Sequence, residues 1–79
     1  MITLYTSKTC GQCLSVKRFL AIKGLLYDEI SVDDIDVAVQ LQIKSGLVGA
    51  PIVEIDGQFI KGYNPRWIME TIHATSMKA

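Results

Sequence analysis

Asp56-Gly57 stands between two apolar stretches, Pro51–Ile55 and Gln58–Lys61. Both turn positions tolerate positive φ, so the dipeptide predicts a two-residue hairpin and with it an antiparallel strand pair. The elements upstream must join that pair. Ile2–Tyr5 reads as a first strand and Thr6–Thr9 as the loop after it. From Gly11 to Lys23 the apolar positions Cys13, Val16, Phe19 and Leu20 recur at helical spacing, while Lys17, Arg18 and Lys23 fall off that face. Gly24 suits the end of that helix. Leu26–Ile30 reads as a second strand, with Asp28 and Glu29 as its more polar positions.

The next segment carries two conflicting signals. Ile35, Val37, Val39, Leu41 and Ile43 alternate strictly, which taken alone indicates a strand. Ser31-Val32-Asp33-Asp34 nevertheless has the form of a helix start with Asp33 as N-cap, and Ser45-Gly46 that of a stop. A crossover helix also fits the length between two strands, so a helix is expected over Asp34–Lys44, followed by a loop at Gly46–Gly49. Near the end, Gly62-Tyr63-Asn64-Pro65 opens a last helix running to about Thr75, with Asn64 as cap and Pro65 in the first turn. Trp67, Ile68 and Ile72 are its apolar positions. The order is strand–helix–strand–helix–strand–strand–helix. A right-handed crossover followed by a hairpin makes one four-stranded mixed sheet with three helices on its faces, an α/β fold of thioredoxin-like architecture.

At 79 residues the chain is expected to be a single domain, 1–79, and 49% apolar residues can supply its core. Eight basic and eight acidic side chains balance, and no stretch concentrates lysine or arginine. Nucleic acid is therefore not expected as a partner. The longest apolar stretches fall far short of a bilayer span, and Met1 leads straight into a strand. A soluble, cytoplasmic monomer is the expectation.

Cys10 and Cys13 are the only cysteines, spaced Cys-Gly-Gln-Cys where a helix should begin. A pair at that spacing can close into a small disulfide ring, too short to staple a fold. The first thiol sits over unpaired backbone N–H groups and the positive end of the helix dipole, which favour the thiolate. In a reducing compartment such a pair is more often catalytic or metal-binding than structural. Two readings remain beside redox chemistry: small core residues, or two ligands of a zinc or iron–sulfur site. Zinc takes four ligands, and the only histidine, His73, lies far along the chain. Pro51, read from its own residues, is a trans proline at the start of an edge strand. His73 reads as a surface residue, Trp67 as packing, and Asp33, Asp34 and Asp36 as acids serving a helix start.

Four stretches carry a resemblance to the glutaredoxin family, and within it to the NrdH-redoxins. Tyr5-Thr6 with Cys10-Gly11-Gln12-Cys13 is similar to the family's Tyr-Thr and Cys-x-Gln-Cys, and Gly24-Leu25-Leu26-Tyr27 to its Gly-Leu-x-Tyr. Ala50-Pro51-Ile52-Val53 with Asp56-Gly57 resembles its Ala-Pro-x-Val and Asp-Gly, and Gly62-Tyr63-Asn64-Pro65-Arg66 its Gly-Phe-Arg-Pro-Asp. At that last turn, glutathione-using glutaredoxins usually carry Gly-Gly-x-Asp-Asp, whose acids grip the amino group of glutathione. This chain has Asn64-Pro65-Arg66 there.

The resemblance implies a dithiol electron carrier with no bound cofactor, only a redox-active Cys10–Cys13 disulfide. Its electrons would come from NADPH through thioredoxin reductase and pass to ribonucleotide reductase. Cys10 would attack the partner disulfide and Cys13 would resolve the mixed disulfide. The Ala50–Pro51 bond would be cis, facing the cysteines, with the Ala50 backbone pairing to an extended substrate segment. Gly62 and Tyr63 would border the same groove, Gln12 would shape the partner contact, and Lys8 would favour the Cys10 thiolate. Glutathione as the reductant and metal binding through the cysteines are the alternatives. The chain departs from the pattern at Asn64 and Arg66, at Ser7-Lys8 in place of an earlier lysine, and in a longer 31–51 segment.

Overall fold

The computed structural model describes residues 2–76. Four strands and three helices follow in the order β1 (Ile2–Thr6), α1 (Gly11–Ile22), β2 (Asp28–Ser31), α2 (Ile35–Ser45), β3 (Ile52–Ile55), β4 (Gln58–Lys61) and α3 (Pro65–Ser76). The strands form one mixed sheet in the order β2-β1-β3-β4. β1 runs parallel to β2 and antiparallel to β3, and β3 is antiparallel to β4. The hairpin turns where expected, with φ of 48° at Asp56 and 85° at Gly57. Only glycine takes the second of these angles without strain.

Successive residues of β1 face opposite sides of the sheet. Ile2 and Leu4 join Val53 and Ile55 under Val16 and Leu20 of α1 and Ile68 of α3, and Trp67 packs against this cluster. Tyr5 and Ile52 face the other way, beneath Leu41 of α2. The Tyr5 hydroxyl donates to Glu54 Oε1 at 3.0 Å. Burial, and after it this bond to a carboxylate, hold the Tyr5 hydroxyl above its ordinary pKa.

Several boundaries differ from the sequence expectation, three of them as follows. The second strand begins at Asp28, not Leu26, because its rungs with β1 start at Thr3↔Asp28 and Leu26 is left 92% exposed. The cap of α2 is Asp34, not Asp33: Asp34 Oδ1 accepts the Asp36 N–H at 2.9 Å, while the Asp33 carboxylate is held elsewhere. The first helix ends at Ile22, with Lys23 as its cap.

The alternating segment is a helix. Winding an every-second-residue pattern at 3.6 residues per turn scatters the apolar side chains around the axis. Leu41 and, in part, Val37 reach the core, while Ile35, Val39 and Ile43 stand on the outer face. In α3 the Asn64 side chain accepts the Trp67 N–H at 3.1 Å, as an N-cap should. Asn64→Ala is expected to lower stability by about 1 kcal/mol, read as a shift in the urea midpoint.

Candidate functional site

Cys10 is the N-cap of α1, in extended conformation with φ −92° and ψ 106°. It forms a disulfide with Cys13, one turn along, and the two Cα atoms lie 5.4 Å apart. The Cys13 N–H donates to Cys10 Sγ at 3.1 Å. The first sulfur thus already receives a helix N-terminal donor, which favours a negative charge on it once the pair is reduced. Cys10 is half-buried and Cys13 is buried at 4% exposure. The outer sulfur can meet a second molecule, and the inner one can reach only the outer.

The C-terminal end of β1 and the start of β3 lie side by side because the two strands are antiparallel, with Tyr5 opposite Ile52. The cysteine loop and Ala50-Pro51 therefore occupy the same end of the sheet. The Ala50–Pro51 peptide is cis, and Pro51 is buried. The trans reading from the isolated residues does not hold. Gly62 closes this end: its N–H donates to the Pro51 carbonyl at 2.8 Å. Its φ of 98° excludes an ordinary side chain, and a Cβ built there would stand 3.7 Å from Gln12 Oε1. Gln12, Pro51 and Gly62 are thereby brought together beside the cysteines.

Tyr63 and Lys8 also make contacts away from the cysteines. Tyr63 turns its ring edge to Phe19, 6.4 Å between centroids at 69°, and is 45% exposed. It packs on the C-terminal half of α1. Lys8 is exposed, and its contact to the fold is through its backbone, whose N–H donates to Asp33 Oδ2 at 3.0 Å.

Asp33 is a residue that sequence reasoning assigned to a helix start. It bridges the cysteine loop to the β2–α2 connection, since the same carboxylate oxygen accepts from Ser31 Oγ at 3.3 Å. The Val32 N–H, donating to the Thr6 carbonyl at 2.8 Å, ties the same two segments. No local pattern announces such a bond, because its partners are 25 residues apart.

Beneath this loop Lys17 Nζ lies 2.8 Å from Glu29 Oε2, which also accepts from Thr6 Oγ1 at 3.1 Å. The Lys17 ammonium, and then the Thr6 hydroxyl, hold the Glu29 carboxyl below its ordinary range, and Glu29 holds Lys17 above its own. The lowered carboxyl contributes stability present above its unfolded value and lost as pH falls through the folded one. The raised lysine contributes below its unfolded value and loses it as pH rises. The pair therefore stabilises at neutral pH. Glu29→Gln is expected to lower the urea midpoint slightly at pH 7, the pair being solvent-exposed. The gap to wild type should close as pH falls through the lowered range of the folded carboxyl. Among the described residues no group of three or more His, Cys, Asp or Glu side chains is arranged to hold a metal ion.

The glutaredoxin family pattern matches residues 2–60, from β1 into β4. The chain belongs to the glutaredoxin family. It is 32% identical over 65 residues to the glutaredoxin-like protein NrdH of Lactococcus lactis, covering 82% of this chain and 90% of that one. Its fold superposes on the NrdH-redoxin of Escherichia coli with a TM-score of 0.75 and 29% identity, covering 87% and 91% of the two chains. On a thioredoxin-like protein of known crystal structure the TM-score is 0.82 with 28% identity, covering 90% and 99%. Within the glutaredoxins the chain is NrdH-like, and its Cys-x-x-Cys pair is that of a thiol–disulfide oxidoreductase.

Proposed function

We propose that this chain is a cytoplasmic, single-domain, monomeric electron carrier of the NrdH type. It takes two electrons from NADPH through thioredoxin reductase and passes them to a protein disulfide, that of ribonucleotide reductase. The Escherichia coli NrdH-redoxin is described as having a thioredoxin-like activity profile. The observation that carries the reading for this chain is the turn before α3. Where a glutathione-using relative would present an acid pair, the Asn64 carboxamide caps α3 and Arg66 Nε lies 3.0 Å from Glu70 Oε1. Neither side chain offers a carboxylate to an amino group.

In this reading Cys10 attacks and Cys13 resolves. The Cys10 thiolate displaces one sulfur of the partner disulfide, which leaves as a thiolate and takes a proton. The Cys13 thiolate then attacks Cys10 Sγ, closes the ring seen here, and releases the second partner sulfur. Two electrons pass to the partner, and the Cys10–Cys13 disulfide is the whole redox group. Ala50, Pro51, Gly62 and Gln12 form the platform for the partner segment, with Lys8 and Tyr63 at its margins.

The test is NADPH consumption with a generic disulfide in two reconstitutions, one with thioredoxin reductase, the other with glutathione and its reductase. Turnover in the first alone is expected. Turnover in the second alone would assign the chain to the glutathione-dependent members of the family.

A further inference from the structure

Lys61 is the last residue of β4, paired with Ile52, and its backbone is fixed by the next residue's bond from Gly62 N–H to the Pro51 carbonyl. Its side chain is exposed but reaches back over the neighbouring chain. The Nζ lies 3.3 Å, and the Cε 3.5 Å, from where a Cβ on Gly49 would stand. The ammonium is thus laid over the backbone just before Ala50-Pro51. The two ion pairs found among the described residues, Lys17–Glu29 and Arg66–Glu70, leave Lys61 without a carboxylate. The nearest acid on its sheet face along β3, Glu54, already accepts from Tyr5. On the other flank of the cysteines Asp33 accepts from the Lys8 backbone N–H, and the exposed Lys8 side chain stands on the same loop. The Gly49 side of the platform therefore carries a cation with no carboxylate partner, whereas beside the cysteine loop Asp33 is accompanied by the exposed Lys8.

We propose that Lys61 selects a protein segment carrying an acidic side chain next to its disulfide. A segment lying along Ala50-Pro51 with one sulfur at Cys10 passes over Gly49. A carboxylate there meets an ammonium already in place. Such a contact changes capture of the partner, not the sulfur chemistry, so it belongs in KM. The inference rests on the dithiol reading above.

The test compares three synthetic disulfide peptides that differ only in Glu, Gln or Lys beside the disulfide, with a small uncharged disulfide and glutathione disulfide as controls. Wild type is expected to favour the Glu peptide over the Gln peptide by about fivefold in kcat/KM, through KM and less so at high salt. Lys61→Gln should remove that preference, and Lys61→Glu should transfer it to the Lys peptide. Both variants should reduce the uncharged disulfide at the wild-type rate. A preference that survives in Lys61→Gln would overturn the proposal. So would a loss on glutathione disulfide equal to that on the Glu peptide, since the cation would then be serving a tripeptide's carboxylates. Wild type inert on every disulfide would instead overturn the dithiol reading itself.

Discussion

Cys10→Ser is expected to lower the steady-state reduction of a protein disulfide by at least about a thousandfold. A hydroxyl in the same place can still accept the Cys13 N–H, but it is not ionised near neutral pH, so the donor that lies 3.1 Å from Cys10 Sγ has no anion to favour. Cys13→Ser separates the two half-steps. Cys10 remains able to attack, so one partner molecule per chain should be captured as a mixed disulfide that persists until an external thiol releases it. Non-reducing electrophoresis would show the adduct with Cys13→Ser and none with Cys10→Ser. An adduct formed by Cys10→Ser would reverse the assignment, and full turnover by either variant would end the dithiol mechanism.

Leu20→Ala is expected to remove about 2–5 kcal/mol of stability. Leu20 is fully buried, packed among Ile2, Leu4, Val16, Val53, Ile55 and Ile68 where α1 and α3 meet the sheet. A chain of 79 residues has about 4–12 kcal/mol in total, so about a sixth of its stability or more is at stake. The same truncation at Ile22, two residues on and 81% exposed, should change stability by less than about 0.5 kcal/mol. Urea unfolding of both variants reads the contrast. Similar midpoints would mean that the face of α1 turned to the sheet contributes no more than the face turned to water.

Local signals made the hairpin and the cysteine pair legible. Asp56-Gly57 acts through two backbone angles, and Cys10 and Cys13 are one helical turn apart whatever surrounds them. The segment Ile35–Ser45 is the instructive opposite. Its alternation is genuine, yet the cap at Asp34 and the core contacts of Leu41 and, in part, Val37 outweigh three exposed apolar residues. β2 was hard to bound because each of its residues is exposed. It is a strand by virtue of its rungs with β1, not of its own pattern. The same holds at the site. Asp33 under Lys8, Gln12 beside Gly62 and Lys61 over Gly49 are all meetings of distant segments, and side-chain type alone does not foretell them.

The rung Tyr5↔Ile52 sits one residue from Pro51 and five from Cys10. The spacing between the reactive sulfurs and their platform is thus gauged by a hydrogen-bonded crosspiece, not by the chain that travels between them. That intervening chain runs through α1, β2 and α2. Evolution can lengthen or recompose this detour while both halves of the site stay in step, much as a hinge plate keeps two leaves aligned whatever hangs from them.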